Sequence, residues 1–140
     1  MAQQDRDHHI VIQALKAAGW TVTHPQGIAT RFAGKRGTVD IGAEIYEAEK
    51  GNRKIAVEVK NYPPTGNGVM GDFQRNVGQH LMYKEWFEEN EPDREVYTAV
   101  PKATYDGFLS NQESQRFLKK HEIKMFTYNP ESQTLDKWID

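Results

Sequence analysis

The chain has 140 residues, 18 Lys and Arg against 20 Asp and Glu, a net charge of −2 and no cysteine. That length points to one domain, 1–140, with a core of its own, and the lack of thiols excludes disulfides and thiolate metal sites. Charge this close to neutral excludes a globally basic nucleic-acid binder, so any such role rests on local charge; no apolar run approaches a membrane span and no signal peptide opens the chain, so a cytoplasmic protein without membrane partners is expected.

In chain order, a helix is expected from about Asp5, because Ile10, Val11, Ala14, Leu15 and Ala18 follow the i, i+3, i+4 spacing and Gly19 stands where a helix-ending glycine belongs. "WTVTH" reads as a short strand stopped by Pro25, followed by a loop to Gly37 that carries Arg31, Lys35 and Arg36. Two alternating segments, Thr38–Ala48 and Arg53–Asn61, joined by "EKGN", read as an antiparallel hairpin. "YPPTGNGVMG" (Tyr62–Gly71) reads as a mobile loop. A helix over Asp72–Glu89 places Phe73, Val77 and Leu81 on one stripe. "EVYTAVP" is a strand, Ala103–Lys120 is helical with a break near Ser110, and "IKMFTY" with "TLDKWI" forms a closing hairpin. The order α-β-β-β-α-β-α-β-β describes an α/β protein with a central mixed β-sheet flanked by helices.

The alternating pair carries the chemistry. Residues of like parity share a strand face, so with Val39, Ile41, Ala43 and Ile45 on one side, Asp40, Gly42 and Glu44 point to the other. In "KIAVEVK" the corresponding face holds Glu58 and Lys60. A turn near Lys50 sets Asp40 across from Glu58 or Lys60, within cross-strand reach. Carboxylates this close repel, which raises at least one pKa unless a cation sits between them. Lys60 neutralises one charge; Mg2+ or Mn2+ neutralises two and prefers oxygen ligands, making Asp40 and Glu58 candidate metal ligands. Such an ion would polarise a phosphoryl group and acidify water, while Lys60 stabilises the developing charge. Glu-x-Lys alone carries no weight, since 12 Glu and 11 Lys yield roughly one such triplet by chance, and Glu122–Lys124 is another. Only Glu58-x-Lys60 has an acid-bearing strand upstream and a helix downstream.

On that helix Gln79, Tyr83 and Trp86 share a stripe, and the first two could hydrogen-bond a phosphate or base. Arg31, Lys35, Arg36 and Lys84, with Arg53, Lys54 and His80, are candidate phosphate contacts. His8, His9, His24 and His121 show no ligand spacing and receive no role. The acidic run Glu85–Glu95 reads as a solvated face.

The ordered set Asp40, Glu58-x-Lys60 and Gln79-x-x-x-Tyr83 resembles the PD-(D/E)xK nuclease superfamily, the last pair its RecB-like branch. Across nearly the whole chain, "ALKAAGWTVTH", "VDIGAE", "KIAVEVK", "VGQHLMY" and "YTAVP" resemble the XisH family. Its members are named as controlling factors for excision of a DNA element during heterocyst differentiation in cyanobacteria, and are associated with a small partner, XisI. The resemblance implies a restriction-endonuclease-like fold, Asp40 and Glu58 as metal ligands, Lys60 as the catalytic amine, and Gln79 and Tyr83 as supporting catalytic residues. Val39 stands where the superfamily commonly has proline. The first helix offers Asp5, Asp7, His8 and His9 but no glutamate, where many relatives carry another acid.

Three functions follow as expectations. The first is a Mg2+- or Mn2+-dependent DNA endonuclease that helps control excision of a DNA element, for which a homodimer would suit two strand cuts. The second is an inactive nuclease-fold module that binds DNA and acts as an adapter with a XisI-like partner. The third is a protein-interaction role using Glu85–Glu95 and the terminal "LDKWID".

Overall fold

The computed structural model describes residues 7–140, so the expected helix start at Asp5 lies outside the described residues. Helix α1 (Asp7–Ala17) buries Val11, Ala14 and Leu15 as their spacing predicts and Ile12 as well, while Ile10 is half-buried and Ala18 lies past the helix and is exposed. Five strands follow: β1 (Thr21–His24), β2 (Ile28–Phe32), β3 (Lys35–Val39), β4 (Ile41–Glu47) and β5 (Gly51–Val59). Then come α2 (Val69–Asn90), β6 (Arg94–Pro101), a short α3 (Lys102–Thr104) prolonged by a π-helical turn over Tyr105–Leu109, α4 (Gln112–Lys120), β7 (Met125–Asn129) and β8 (Thr134–Ile139). Asn111 caps α4 by accepting the Ser114 backbone N–H at 2.8 Å, which explains the helix break near Ser110.

A mixed six-stranded sheet in the order β1-β4-β5-β6-β7-β8 forms the centre. The β5–β6 and β6–β7 pairs are parallel and the others antiparallel. Helix α1 covers one face, packing Val11, Ile12 and Leu15 with Ile41, Ile55, Val57, Val59, Tyr97 and Phe126. The other face is covered by α2, whose Phe87 meets Ala56 and Val96, and by α4 and the π turn, whose Leu118 and Leu109 meet Val100 and Met125. From Ile55 onward both faces of β5 are therefore buried, so its alternation does not mark a solvent-facing side.

Three sequence expectations change. The basic loop to Gly37 is instead a β2–β3 hairpin, a separate two-stranded sheet with Ile28↔Val39 and Arg31↔Arg36 in register. Its turn places both Ala33 (φ 51) and Gly34 (φ 78) in the left-handed region, the geometry of a two-residue hairpin. Ala-Gly is a weak signal for that turn, so the hairpin was hidden. Second, the chain bends at Asp40, between β3 and β4, so Val39 packs with Ile28, Ala56 and Phe87 while Ile41 packs under α1. Third, Tyr62 anchors the expected mobile loop: it is buried, its carbonyl accepts from Thr104 Oγ1 and its hydroxyl accepts from Asn76 Nδ2.

Gly27 fixes how the hairpin enters. Its φ is +101, and a Cβ there would sit 2.6 Å from the Val39 carbonyl oxygen. Gly27→Ala is expected to destabilise the fold by about 2 kcal/mol or more, whereas Ala33→Gly at the open turn is expected to stabilise it by about 0.5–1 kcal/mol. Urea denaturation of the two variants beside the parent measures both signs.

Candidate active site

The β4–β5 register, Ile41↔Val57, continues to set Asp40 opposite Glu58. The bend at Asp40 turns its carboxylate back along β5, where Oδ2 accepts the Val59 backbone N–H at 2.8 Å. Lys60 stays beside the sheet because its N–H donates to the Ala99 carbonyl at 2.9 Å, and its Nζ lies 3.4 Å from Glu58 Oε2. Asp40, Glu58 and Lys60 are thus brought together at one end of β5. Glu44 is not part of the cluster; it lies further along β4 and accepts from Asn52 Nδ2 at 3.0 Å.

Burial decides the electrostatics. Glu58 is only 7% exposed, and its Oε1 is a buried acceptor with no hydrogen-bond partner. Loss of solvent, and then the neighbouring Asp40 charge, push its pKa up to about 7, against the pull of Lys60. Burial also raises Asp40, opposed by the Val59 N–H, His8 and Lys60. Asp40 and Glu58 therefore compete for neutralisation in a site where an unpaired charge is costly. An unsatisfied carboxylate oxygen beside a second acid is the donor chemistry of a hard divalent cation, so these two residues fit one. Among the described residues no three His, Asp or Glu side chains gather around such a position; the remaining ligands would be water, backbone or phosphate oxygens.

Helix α2 closes the site. Tyr83 lies over it: burial, with the charges of Glu58 and Asp40, pushes its phenol up to about 12, and its hydroxyl donates to the Thr38 carbonyl at 3.4 Å. Tyr83, exposed Gln79 and Trp86 lie along one side of α2 facing the hairpin, as their spacing predicted. The expected Phe73/Val77/Leu81 stripe is only partly the buried face, since Leu81 is 41% exposed while polar Asn76 and His80 are buried. His80 is no phosphate contact. It is enclosed against Thr98 Oγ1 at 2.9 Å, its Nε2 has no partner, and burial followed by the Lys84 charge push it down to about 4. Thr98 stands beside Glu58 in the β5–β6 register, so α2 sets a neutral imidazole over the acid-bearing layer.

Of the candidate basic contacts, Arg31, Lys35 and Arg36 line one groove between the hairpin and α2, and Lys84 does not. Arg53 and Lys54 are engaged elsewhere: Arg53 pairs with Glu47 and Glu95, and Lys54 with Asp93. Within the acidic run Glu91 pairs with Arg94 and Glu95 with Lys124, while Glu85, Glu88 and Glu89 are exposed, as a solvated face requires. The "LDKWID" segment is also structural: Trp138 packs on Trp20, Tyr97 and Phe126, and Asp140 accepts from Tyr97. Sequence reasoning missed His8. It is buried, bonded through Nε2 to the Pro25 carbonyl at 2.7 Å, and close enough to Asp40 to favour its charged form. Asp7, in contrast, turns its carboxylate to Asn61 and Tyr128. The only available signal for His8 was its place in the first helix.

The fold and site define a mixed α/β protein that holds two acids and a lysine beneath a helix, at one end of an interior strand of its sheet. The XisH protein family model matches residues 1–136, and the chain belongs to the XisH family. It is similar to the crystal structure of an XisH family protein from Nostoc punctiforme PCC 73102, at 29% identity and a TM-score of 0.82, covering 97% of this chain and 100% of that one. It is also similar to that of a FdxN element excision controlling factor protein from Anabaena variabilis, at 31% identity and a TM-score of 0.84, covering 98% and 100%. No curated protein matches.

The Glu58 shift fixes a sign for pH dependence. Folding raises its pKa from the ordinary 4.5 to about 7, so the folded chain binds more protons than the unfolded chain between those values. This contribution to stability is present below about 4.5 and is lost as pH rises toward 7. In EDTA, stability from urea melts is expected to fall by roughly 1–3 kcal/mol more for the parent than for Glu58→Gln between pH 5 and pH 8. Parallel pH curves for the two proteins would contradict the buried-acid assignment.

Proposed function

We propose that this chain is a metal-dependent DNA endonuclease of the PD-(D/E)xK superfamily, with a restriction-endonuclease-like fold, that helps control excision of a DNA element. The observation that carries this reading is the Asp40–Glu58 pair, with its buried, unpartnered Glu58 Oε1 and the Lys60 ammonium 3.4 Å from the other oxygen. The printed name of the Anabaena variabilis relative supports the biological direction.

Asp40 and Glu58 would hold Mg2+ or Mn2+. When bound, such an ion supplies Lewis-acid polarisation of the phosphoryl group and acidifies water. Lys60 would place a positive charge beside the phosphoryl oxygens, where negative charge develops, and orient the attacking water. Tyr83 stays protonated at neutral pH, so its hydroxyl would turn from the Thr38 carbonyl to donate to a phosphate oxygen and is not the general base. Gln79, exposed on the same side of α2, offers a donor and an acceptor to the strand.

A second reading has its own support. Among the described residues no first-helix acid is bonded to the pair; Asp7 accepts from Asn61 and Tyr128. A catalytically silent nuclease fold that binds DNA and works with a XisI-like partner would tolerate that arrangement.

Incubation with supercoiled plasmid and millimolar Mn2+ separates the two. The endonuclease reading expects nicking that Asp40→Ala and Glu58→Ala abolish and Lys60→Ala slows about a hundredfold or more. It also expects Mn2+ to raise the parent melting temperature, since a ligand at a hundredfold excess over Kd adds about 2.7 kcal/mol, and Glu58→Gln to remove the rise. Salt-sensitive binding without nicking or metal stabilisation selects the adapter; equal nicking by parent and acid variants overturns the assignment of the site.

A further inference from the structure

The groove between the β2–β3 hairpin and α2 is not required by the acid chemistry. Its volume is about 340 Å³, at the small end of the roughly 300–1,000 Å³ typical of small-molecule sites. Phe32 and Lys35 face each other at the tip of the hairpin, on the side that carries Ile28 and Thr30 toward α2. Trp86, Met82 and Tyr83 supply the opposite wall. Phe32 is 57% exposed and Met82 46% exposed, and Phe32 belongs to no core cluster, so folding does not account for an aromatic ring there.

The charge is equally one-sided. Among the described residues no carboxylate lines the groove, and Arg31, Lys35 and Arg36 form no ion pair with an acid. Arg31 and Arg36 stand directly opposite one another in the β2–β3 register, on the hairpin face that alternates with Phe32 and Lys35, and both border the groove. Like charges in that relation repel, and an anion at the rim relieves the repulsion. Tyr83 connects this groove to the acids, because it lines the wall and lies within the electrostatic reach of both Glu58 and Asp40. Gly37 keeps the wall open: a Cβ there would meet Thr30 Oγ1 at 3.0 Å and the Tyr83 ring at 3.5 Å.

We propose that this groove receives one unpaired nucleobase, stacked on Phe32 and Trp86, with the flanking phosphates on Lys35, Arg31 and Arg36. The substrate class is therefore DNA with an unpaired base next to the scissile backbone: a single strand, an overhang or a flap. The inference takes its DNA substrate from the function proposed above. A paired base cannot enter, since its faces are covered by its neighbours in the stack. Stacking asks only for a π-face, so the groove discriminates strand structure and not sequence.

Binding is measured in EDTA, without cleavage, using a fluorescein-labelled single strand, a blunt duplex of equal length, and a strand carrying 2-aminopurine. The parent is expected to bind the single strand about tenfold or more tighter than the duplex, and to quench 2-aminopurine. Phe32→Leu keeps an apolar side chain at an exposed position, so folding is preserved; it is expected to lose the preference and most of the quenching, and Phe32→Trp to restore both. Arg36→Ala should weaken both DNA forms and lower the salt slope by about one. Equal affinity for strand and duplex, preference unchanged in Phe32→Leu, or no DNA binding at low salt (the result for a protein occupant) overturns the proposal. Uncut plasmid in Mn2+ with the strand preference intact would remove the nuclease and leave the groove; nicking with equal affinities would do the reverse.

Discussion

Everything around the candidate site follows from placing Glu58 in a strand that is covered on both faces. A carboxylate at the surface of a sheet would be solvated, ionised and inert. Under α2, opposite Asp40, the same group titrates near neutrality and leaves one oxygen without a partner. Lys60 satisfies only the other oxygen. The layer accommodates this strain with neutral polar neighbours, Thr98 and His80, which bring no second negative charge to the acids.

The same packing explains the choice of residues along α2. Its inner positions are polar at Asn76, which bonds Tyr62, and at His80, which bonds Thr98 beside Glu58, and apolar at Phe87 where they reach Ala56 and Val96. Its flank carries Gln79, Tyr83 and Trp86 toward the hairpin. One helix thus roofs the acids and walls the groove, so the two features have a fixed mutual geometry.

Much of the fold was legible before any coordinates. The apolar spacing of α1, the alternation of β4 and β5, the break near Ser110 and the final hairpin all express local periodicity. The β2–β3 hairpin was not legible, because a basic, weakly apolar segment around an Ala-Gly turn lacks the usual signals. Its ends are held by Ile28 and Val39 packing beneath α2, a contact across dozens of residues. Of the site, Asp40, Glu58 and Lys60 were legible through strand parity and register. His8 was not, since it arrives from the far end of the chain and is fixed by a bond to the Pro25 carbonyl. The misreading of His80 has the same origin, since helical spacing says which residues share a side but not which side is covered.

Alone, the order of residues determined which segments are helices and strands, and that an acid, an acid and a lysine occur where a hairpin can unite them. Periodicity and cross-strand register are local properties, so they survive without a partner surface. Only the tertiary structure decided that Glu58 is dry, that His80 is neutral and enclosed, and that Arg31, Lys35 and Arg36 border an aromatic groove instead of a loose loop. Those outcomes depend on which layers pack over which faces. Solvent exclusion, which sets the chemistry here, arises only when segments distant in the chain come together.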